Sequence, residues 1–115
     1  MLNQHASLDR LFHALADPTR RDMVERLCGG PASVSTLAEP LAMSLPSVMQ
    51  HLQVLGECGL VRSEKVGRVR TFHIEPEVLN SAEQWINARR IIWKHRLDKL
   101  GDYLNEQESN PGSKT

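Results

Sequence analysis

Apolar residues in the first part of the chain recur at helical spacing in separate segments. The first segment places four of them at i, i+3, i+4 and i+7, on one face of a helix: Leu8, Leu11, Phe12 and Leu15. Asp17-Pro18 begins a second helix, because Asp favours the N-cap and Pro the first helical position. Gly29-Gly30 ends that helix, since glycine accepts the left-handed conformation of a helix C-terminus.

Two further helices follow, joined by a very short connection. Ser33 is a candidate N-cap for a short third helix, which Pro40 keeps short. Ser44 is the candidate N-cap of a fourth helix over about residues 45–58, which Gly59 ends. The apolar residues of the fourth helix are expected to face the core: Leu45, Val48, Leu52 and Leu55.

The period then changes from helical to alternating. Residues 60–65 and 68–74 are predicted to form two strands around a turn at Val66-Gly67, and Pro76 closes this hairpin. A long last helix is predicted over residues 81–104, and the polar residues 105–115 are predicted to be a disordered tail. Residues 1–104 are therefore expected to form one domain, mainly α with a small β-hairpin, in the order α-α-α-α-β-β-α.

The third and fourth helices have the pattern of a helix-turn-helix, in which the second helix enters the DNA major groove. The residues on its non-core side, most of them polar, are the predicted DNA contacts: Ser44, Pro46, Ser47, Gln50, His51 and Gln53. None of these six is acidic, so none repels phosphate. Gln50 is the first choice for a base contact, because glutamine forms a bidentate pair with adenine.

The net charge and its distribution along the chain both bear on the prediction of DNA binding. The net charge is zero, with 14 Lys and Arg against 14 Asp and Glu, which alone argues mildly against nucleic acid. The hairpin is nevertheless basic, and its cations are predicted to contact phosphates or a narrow minor groove as a wing: Arg62, Lys65, Arg68 and Arg70. The last helix is basic as well, and its cations fit a solvated face, a second phosphate surface or a ligand rim.

Several motifs in order resemble the ArsR/SmtB family of bacterial repressors over roughly residues 8–104. They are LFHALADPTRR from Leu11, LAEP from Leu37, MSLPSV from Met43, HLQVL from His51, GLV from Gly59 and GR from Gly67. The resemblance implies a winged helix-turn-helix homodimer that represses transcription by occupying a promoter, often its own. The chain departs from the family at Met49-Gln50, where a serine and a cation are common, and Met49 is expected to pack beside the core.

The resemblance also implies that the first and last helices form the dimer interface. Apolar and aromatic residues of these helices are the candidates: Leu8, Leu11, Phe12, Trp85, Trp93, Leu97, Leu100 and Leu104. A two-fold dimer would place two recognition helices in successive major grooves, ~34 Å apart, on a pseudo-palindromic site. The expected partners are thus double-stranded DNA and a second copy of the chain. Whether a small-molecule effector of unknown identity also binds is left open by the sequence.

The known metal-ligand sets of that family are not matched. Residues 35–39 hold no thiol where relatives have Cys-x-Cys, and His95 with Asp98 gives only half of the last-helix set. No metal or other cofactor is therefore expected. Cys28 and Cys58 stand at helix ends beside glycines, where they are expected to pack as small apolar side chains rather than act as a redox switch.

Other function classes are less well supported by the sequence. No nucleophile elbow, P-loop or dinucleotide-binding glycine run is present, so no enzyme activity and no catalytic residues are expected. The sparse cysteines, together with the lack of a visible signal peptide or long apolar run, favour the cytoplasm and no membrane association. The alternative is a winged-helix protein-interaction module without DNA affinity.

Overall fold

A computed structural model describes the backbone of residues 4–109 and the side chains of residues 7–108. The elements in chain order are α1 Gln4–Leu15, α2 Pro18–Cys28, β1 Ala32–Ser33, α3 Val34–Ala38, α4 Leu45–Glu57, β2 Val61–Val66, β3 Val69–Ile74, a 3₁₀ turn Pro76–Val78 and α5 Leu79–Ser109. The predicted order of helices and hairpin is confirmed, and β1 is an addition. The chain divides into two compact units, one ending at Ala82 and the other beginning at Glu83.

The predicted helix ends are set by the expected caps. Asp17 accepts a hydrogen bond from the backbone N–H of Arg20 at 3.0 Å, and Ser44 accepts one from Ser47 N–H at 3.4 Å. At the other end of α4, Gly59 has a positive φ of 82°, which side chains disfavour. These caps fix where the helix-turn-helix begins and where α4 stops.

The sheet is three-stranded and antiparallel, in the order β1-β3-β2. Val66 pairs with Val69, so the two-residue turn is Gly67-Arg68 and the prediction of Val66-Gly67 is wrong by one residue. Gly67 has φ 64° and comes first in the turn, the position at which a type II′ hairpin turn needs glycine. This register places Arg68 at the tip of the hairpin.

The core of the first unit gathers residues from every layer of the fold. Its buried apolar side chains are Leu11, Ala14, Met23, Val24, Leu27, Leu37, Val48, Leu52, Leu55, Leu60, Val61, Phe72 and Ala82. Leu45, expected in this core, is 53% exposed, because it stands at the free end of α4 ahead of the first buried residue, Val48. Leu11, expected in a dimer interface, is instead fully enclosed by its own chain.

The cysteines differ from each other in their surroundings. Cys58 packs against the core and directs its thiol to the Leu55 carbonyl oxygen at 3.3 Å. Cys28 is exposed at the end of α2, so the expectation that it packs as a small apolar side chain is wrong.

Helix α5 is longer than predicted. It extends over 31 residues to Ser109, whereas a disordered tail was expected from Asn105. Glu and Gln are good helix formers, and residues 105–109 contain neither Gly nor Pro, so the helix continues. The rest of the predicted tail, residues 110–115, lies outside the described residues.

Candidate nucleic-acid interface

Helix α4 has a buried side and an exposed polar side. Val48, Leu52 and Leu55 face the core. With about 100° between successive residues, Gln50 lies opposite that stripe, and Pro46 and Gln53 lie near it. All three are exposed, as is the N-cap residue of the helix. The structure thus places most of the predicted recognition residues on one accessible side.

His51 is the exception among the predicted DNA contacts. It lies on the flank of α4 toward α2, where its Nδ1 is 3.1 Å from Nη1 of Arg20 and 3.9 Å from Oδ2 of Asp17. Arginine only donates hydrogen bonds, so Nδ1 accepts and the ring proton is on Nε2. His51 is therefore half-buried and bonded within the chain, and its expected position on the free face is wrong.

Arg20 links this histidine to the end of α1. Its Nε donates to the Ala14 carbonyl at 2.7 Å, and Nη2 donates to the His13 carbonyl at 3.1 Å. The Arg20 N–H that caps onto Asp17 lowers the pKa of that carboxyl below its ordinary value, and the positive charge of Arg20 acts in the same direction, against partial desolvation. A sequence gives no direct signal for such a contact between distant positions.

An open groove of about 910 Å³ lies between α4 and the β2–β3 hairpin. Its lining combines core, polar and exposed apolar residues: Pro46, Met49, Gln50, Leu52, Gln53, Gly56, Glu57, Val61, Ser63, Arg70 and Phe72. Met49 is 43% exposed, so the prediction that it packs beside the core is wrong. The groove brings the recognition helix and the wing together in one concave surface.

The hairpin presents different charges on its two faces. Alternation along the strands places Lys65 and Arg70, a directly opposed pair, on the same face as Phe72 and the groove. Arg70 donates to the hydroxyl of Ser63 at 2.9 Å. Lys65 and the tip residue Arg68 are exposed. These cations give the groove side of the hairpin and its tip a positive charge.

Arg62, the fourth predicted wing cation, belongs to the opposite face. Its Nε donates to the carboxylate of Glu75, and its Nη1 lies 3.9 Å from Glu64. This contact raises the pKa of Arg62 and lowers the pKa of Glu75. His73 adds a contact of 3.3 Å to Glu64. The charge of Arg62 is thus balanced by carboxylates, which its position in the sequence did not reveal.

An acidic residue missed by the sequence argument lies one turn beyond Gln53. Glu57 accepts a hydrogen bond from Nε2 of Gln53 at 3.3 Å, and both residues line the groove. The polar side of α4 therefore ends in a negative charge, and the amide of Gln53 is partly engaged. The spacing of four residues on a helix was the signal available for this pair.

The second unit consists of α5 from Glu83 onward, and it exposes many large apolar side chains. They are Trp85, Ile86, Ile91, Ile92, Trp93, Leu97, Leu100, Tyr103 and Leu104. Five of the predicted interface residues recur here with 41–60% exposure: Trp85, Trp93, Leu97, Leu100 and Leu104. The guanidinium of Arg89 lies 4.4 Å from the Trp85 ring centroid, a cation–π contact.

Two other features, a metal site and a membrane-spanning helix, are absent from the described part of the chain. No group of three or more His, Cys, Asp or Glu side chains there is placed to hold a metal ion. Between residues 4 and 109, no helix combines the length and the apolar content that crossing a bilayer requires.

Comparison with known proteins gives the family. A family model described as a helix-turn-helix domain matches residues 15–64. The transcriptional regulator Rv2034 of Mycobacterium tuberculosis is 44% identical over 75 residues, which are 65% of this chain and 70% of that protein. A crystal structure of an ArsR family transcriptional regulator is 45% identical with a TM-score of 0.76, covering 82% of this chain and 97% of that one. The chain belongs to the ArsR family of transcriptional regulators.

ArsR membership confirms the resemblance inferred from the motifs, and with it the winged helix-turn-helix fold. The protein is a DNA-binding transcriptional regulator. Another relative, the transcriptional repressor SdpR of Bacillus subtilis, is 28% identical over 79 residues, which are 69% of this chain and 88% of that protein.

Proposed function

We propose that this ArsR-family protein acts in the cytoplasm as a homodimeric repressor that blocks a promoter by binding a pseudo-palindromic operator. One observation carries the proposal: Gln50 and Gln53 of α4 line the same groove as Arg70, and two further exposed cations lie on the same hairpin, Lys65 on the face of Arg70 and Arg68 at the tip. That surface offers hydrogen-bonding groups for base edges beside positive charge for phosphates, the two components of specific DNA binding.

The recognition helix supplies the base contacts. Gln50 lies at the centre of the exposed side, where its amide can pair with N6 and N7 of adenine. Ser44 and Ser47, whose hydroxyls are 3.1 Å apart at the amino end of α4, suit a phosphate at that helix terminus. Pro46 lines the groove between α4 and the hairpin. Gln53 contributes less to base contacts than Gln50, because its amide donates a hydrogen bond to Glu57.

The wing supplies the backbone contacts. Lys65 and Arg70 face the groove, and Arg68 extends from the turn, so these three are assigned to phosphates or to a narrow minor groove. Arg62 is assigned to the hairpin itself, because Glu75 and Glu64 neutralise it on the other face. This assignment divides the four cations that the sequence grouped together.

Dimerisation is assigned to the apolar residues of α5 together with the exposed part of α1. Trp93, Leu97, Leu100 and Leu104 fall within one stripe of α5, and Phe12 of α1 is 38% exposed. A stripe of this size on a water-exposed helix is stabilised when a second copy covers it. Within α1, Leu8 is half-buried and Leu11 is enclosed by the core, so Phe12 is the most accessible of these three residues to a second copy.

The second candidate is a protein-interaction module without DNA affinity, which the zero net charge and Glu57 favour. The test is selection of bound duplexes from fragmented genomic DNA, followed by fluorescence anisotropy at several salt concentrations. The repressor predicts enriched sequences with two related half-sites and affinity that falls steeply as salt rises. Absence of salt-dependent duplex binding at low ionic strength would support the module instead.

A further inference from the structure

We propose that Met49 is a specificity-determining residue, whose side chain contacts the C5-methyl group of a thymine close to the adenine that Gln50 binds. This inference rests on the proposed operator binding and adds the identity of a second base. It assigns to Met49 a role that differs from the packing expected of it in the sequence.

The exposure of Met49 is the first observation. In the first unit most large apolar side chains are buried or half-buried, yet Met49 is 43% exposed, and Leu45, one helical turn earlier, is 53% exposed. Pro46 is exposed beside them. These three residues form an apolar patch at the amino-terminal part of α4, the part of a recognition helix that contacts base edges.

The surroundings of the patch identify the chemistry of its partner. Met49 and Pro46 line the groove together with Arg70 and Ser63. Lys65, paired with Arg70, is exposed on the same face of the hairpin. A partner must therefore be anionic as a whole and apolar at the point that meets Met49. A DNA major groove fits both conditions, because its backbone is anionic and thymine presents a methyl group on its floor.

The position of Met49 relative to Gln50 limits which base it meets. Successive residues of a helix are about 100° apart, so the two side chains diverge and reach neighbouring positions rather than one base. Methionine is long, unbranched and flexible, which suits contact with a small methyl group at a groove edge. A half-site with thymine within one or two base pairs of the adenine is the expected result.

The test uses thymine and uracil, which differ only by the methyl group in question. Duplexes are selected by the full-length protein from a random library made with thymidine. The selected duplex is then prepared with single deoxyuridine replacements at each thymine, and affinities are measured by fluorescence anisotropy. One replacement in each half-site is expected to weaken binding about fourfold, the equivalent of one buried methyl group at ~0.8 kcal/mol.

Two variants separate a direct contact from an effect of uracil on DNA shape. Met49→Gln is expected to bind thymine and uracil duplexes equally well, whereas Met49→Leu, which keeps an apolar side chain of similar volume, is expected to retain the preference. Equal binding of both duplexes by the wild type would overturn the proposal even if a variant failed to fold. A preserved fourfold ratio in Met49→Gln would overturn it too.

The failure of this inference is distinguishable from failure of the operator proposal. If the thymine library yields no enriched duplex, sequence-specific binding itself is wrong, and the role of Met49 falls with it. If it yields an enriched duplex whose thymines all tolerate uracil, operator binding stands and only the role of Met49 is wrong.

Discussion

Arg20 connects the end of α1 to the middle of α4 through His51. Its Nη1 donates to His51 Nδ1 at 3.1 Å, while its other nitrogens cover the carbonyls of Ala14 and His13. One guanidinium thus donates to two carbonyls in the last turn of α1 and holds the recognition helix by a side-chain contact. The orientation of α4 relative to α1 and α2 depends on this hydrogen bond as well as on the apolar core.

His51→Leu is expected to weaken both folding and DNA binding. The substitution removes the acceptor and leaves an Arg20 donor without its partner, at a cost of about 1 kcal/mol in the free energy of unfolding. Affinity for the operator is expected to fall about fivefold, because holding the loosened α4 in its binding orientation then costs about 1 kcal/mol of binding free energy. Urea denaturation and fluorescence anisotropy measure the two effects.

His51→Asn is the matched control, because its Oδ1 offers an acceptor near the position of Nδ1. It is expected to recover most of the loss in operator affinity. If Asn and Leu at this position bind DNA equally weakly, the imidazole itself meets the DNA and its contact with Arg20 does not matter for binding.

Acid is expected to remove part of the stability that Asp17 contributes. Its carboxylate pKa is lowered from the ordinary 3.8 in the folded chain, so its charge stabilises the fold above that value. This contribution is lost as pH falls through the lower, folded-state pKa. Asp17→Asn keeps an N-cap acceptor without the charge. The stability difference between wild type and Asp17→Asn should therefore shrink between pH 6 and pH 3 in urea denaturation, and a constant difference would contradict the assignment.

The sequence predicted the local features of this fold better than the contacts between distant elements. Caps such as Asp17 and Ser44 are determined within one helical turn, so residue type and spacing were sufficient. The partner of Arg62, Glu75, is 13 positions away and depends on strand pairing. The contact of Arg20 with His51 spans 31 positions and depends on helix packing.

The exposure of apolar residues at the end or the flank of a helix could not be predicted from the sequence either. Leu45 and Met49 fit a helical apolar pattern, yet Leu45 lies at the free end of α4 and Met49 on the flank beside the groove. Periodicity gives the direction of a side chain but not the extent of the core it faces. The same limit applies to Leu11. Its place on the apolar face of α1 was predicted correctly, but that face is covered by the chain's own core and not by a second copy.

The wing cations are expected to differ in their effect on DNA binding. Arg68→Ala should weaken binding to all duplexes and lower the salt slope by about one phosphate contact, because the side chain extends freely from the turn. Arg62→Ala, with its charge already balanced by Glu75 and Glu64, should leave the salt slope unchanged. Anisotropy titrations between 50 mM and 200 mM salt give both slopes. Equal losses for the two variants would mean that both hairpin faces meet DNA.

The two glutamines of α4 are expected to separate specific from minor contacts. Gln50→Ala should cost about 1–3 kcal/mol at the selected operator and leave binding to unrelated duplexes nearly unchanged, as for a lost base contact. Gln53→Ala is the control of identical chemistry, and it should cost less because Glu57 engages its amide. Competition titrations with operator and unrelated DNA measure this difference. A larger loss in Gln53→Ala would shift the base contact one turn along α4.

The dimer assignment is tested by charges placed on opposite sides of α5. Leu100 and Ile91 are both exposed, at 54% and 68%, but nine residues separate them, which is two and a half helical turns. Leu100→Glu places a carboxylate in the proposed interface stripe, where burial of an unpaired charge is costly, so a shift toward monomer is expected. Ile91→Glu places the same charge on the other side and should leave the dimer intact. Analytical ultracentrifugation at micromolar concentration measures both.

Because one monomer contacts only one half-site, Leu100→Glu should also reduce affinity for the two-half-site operator far more than affinity for a single half-site. A wild-type protein that sediments as a monomer, or a dimer disrupted equally by both substitutions, would contradict the assignment of this stripe.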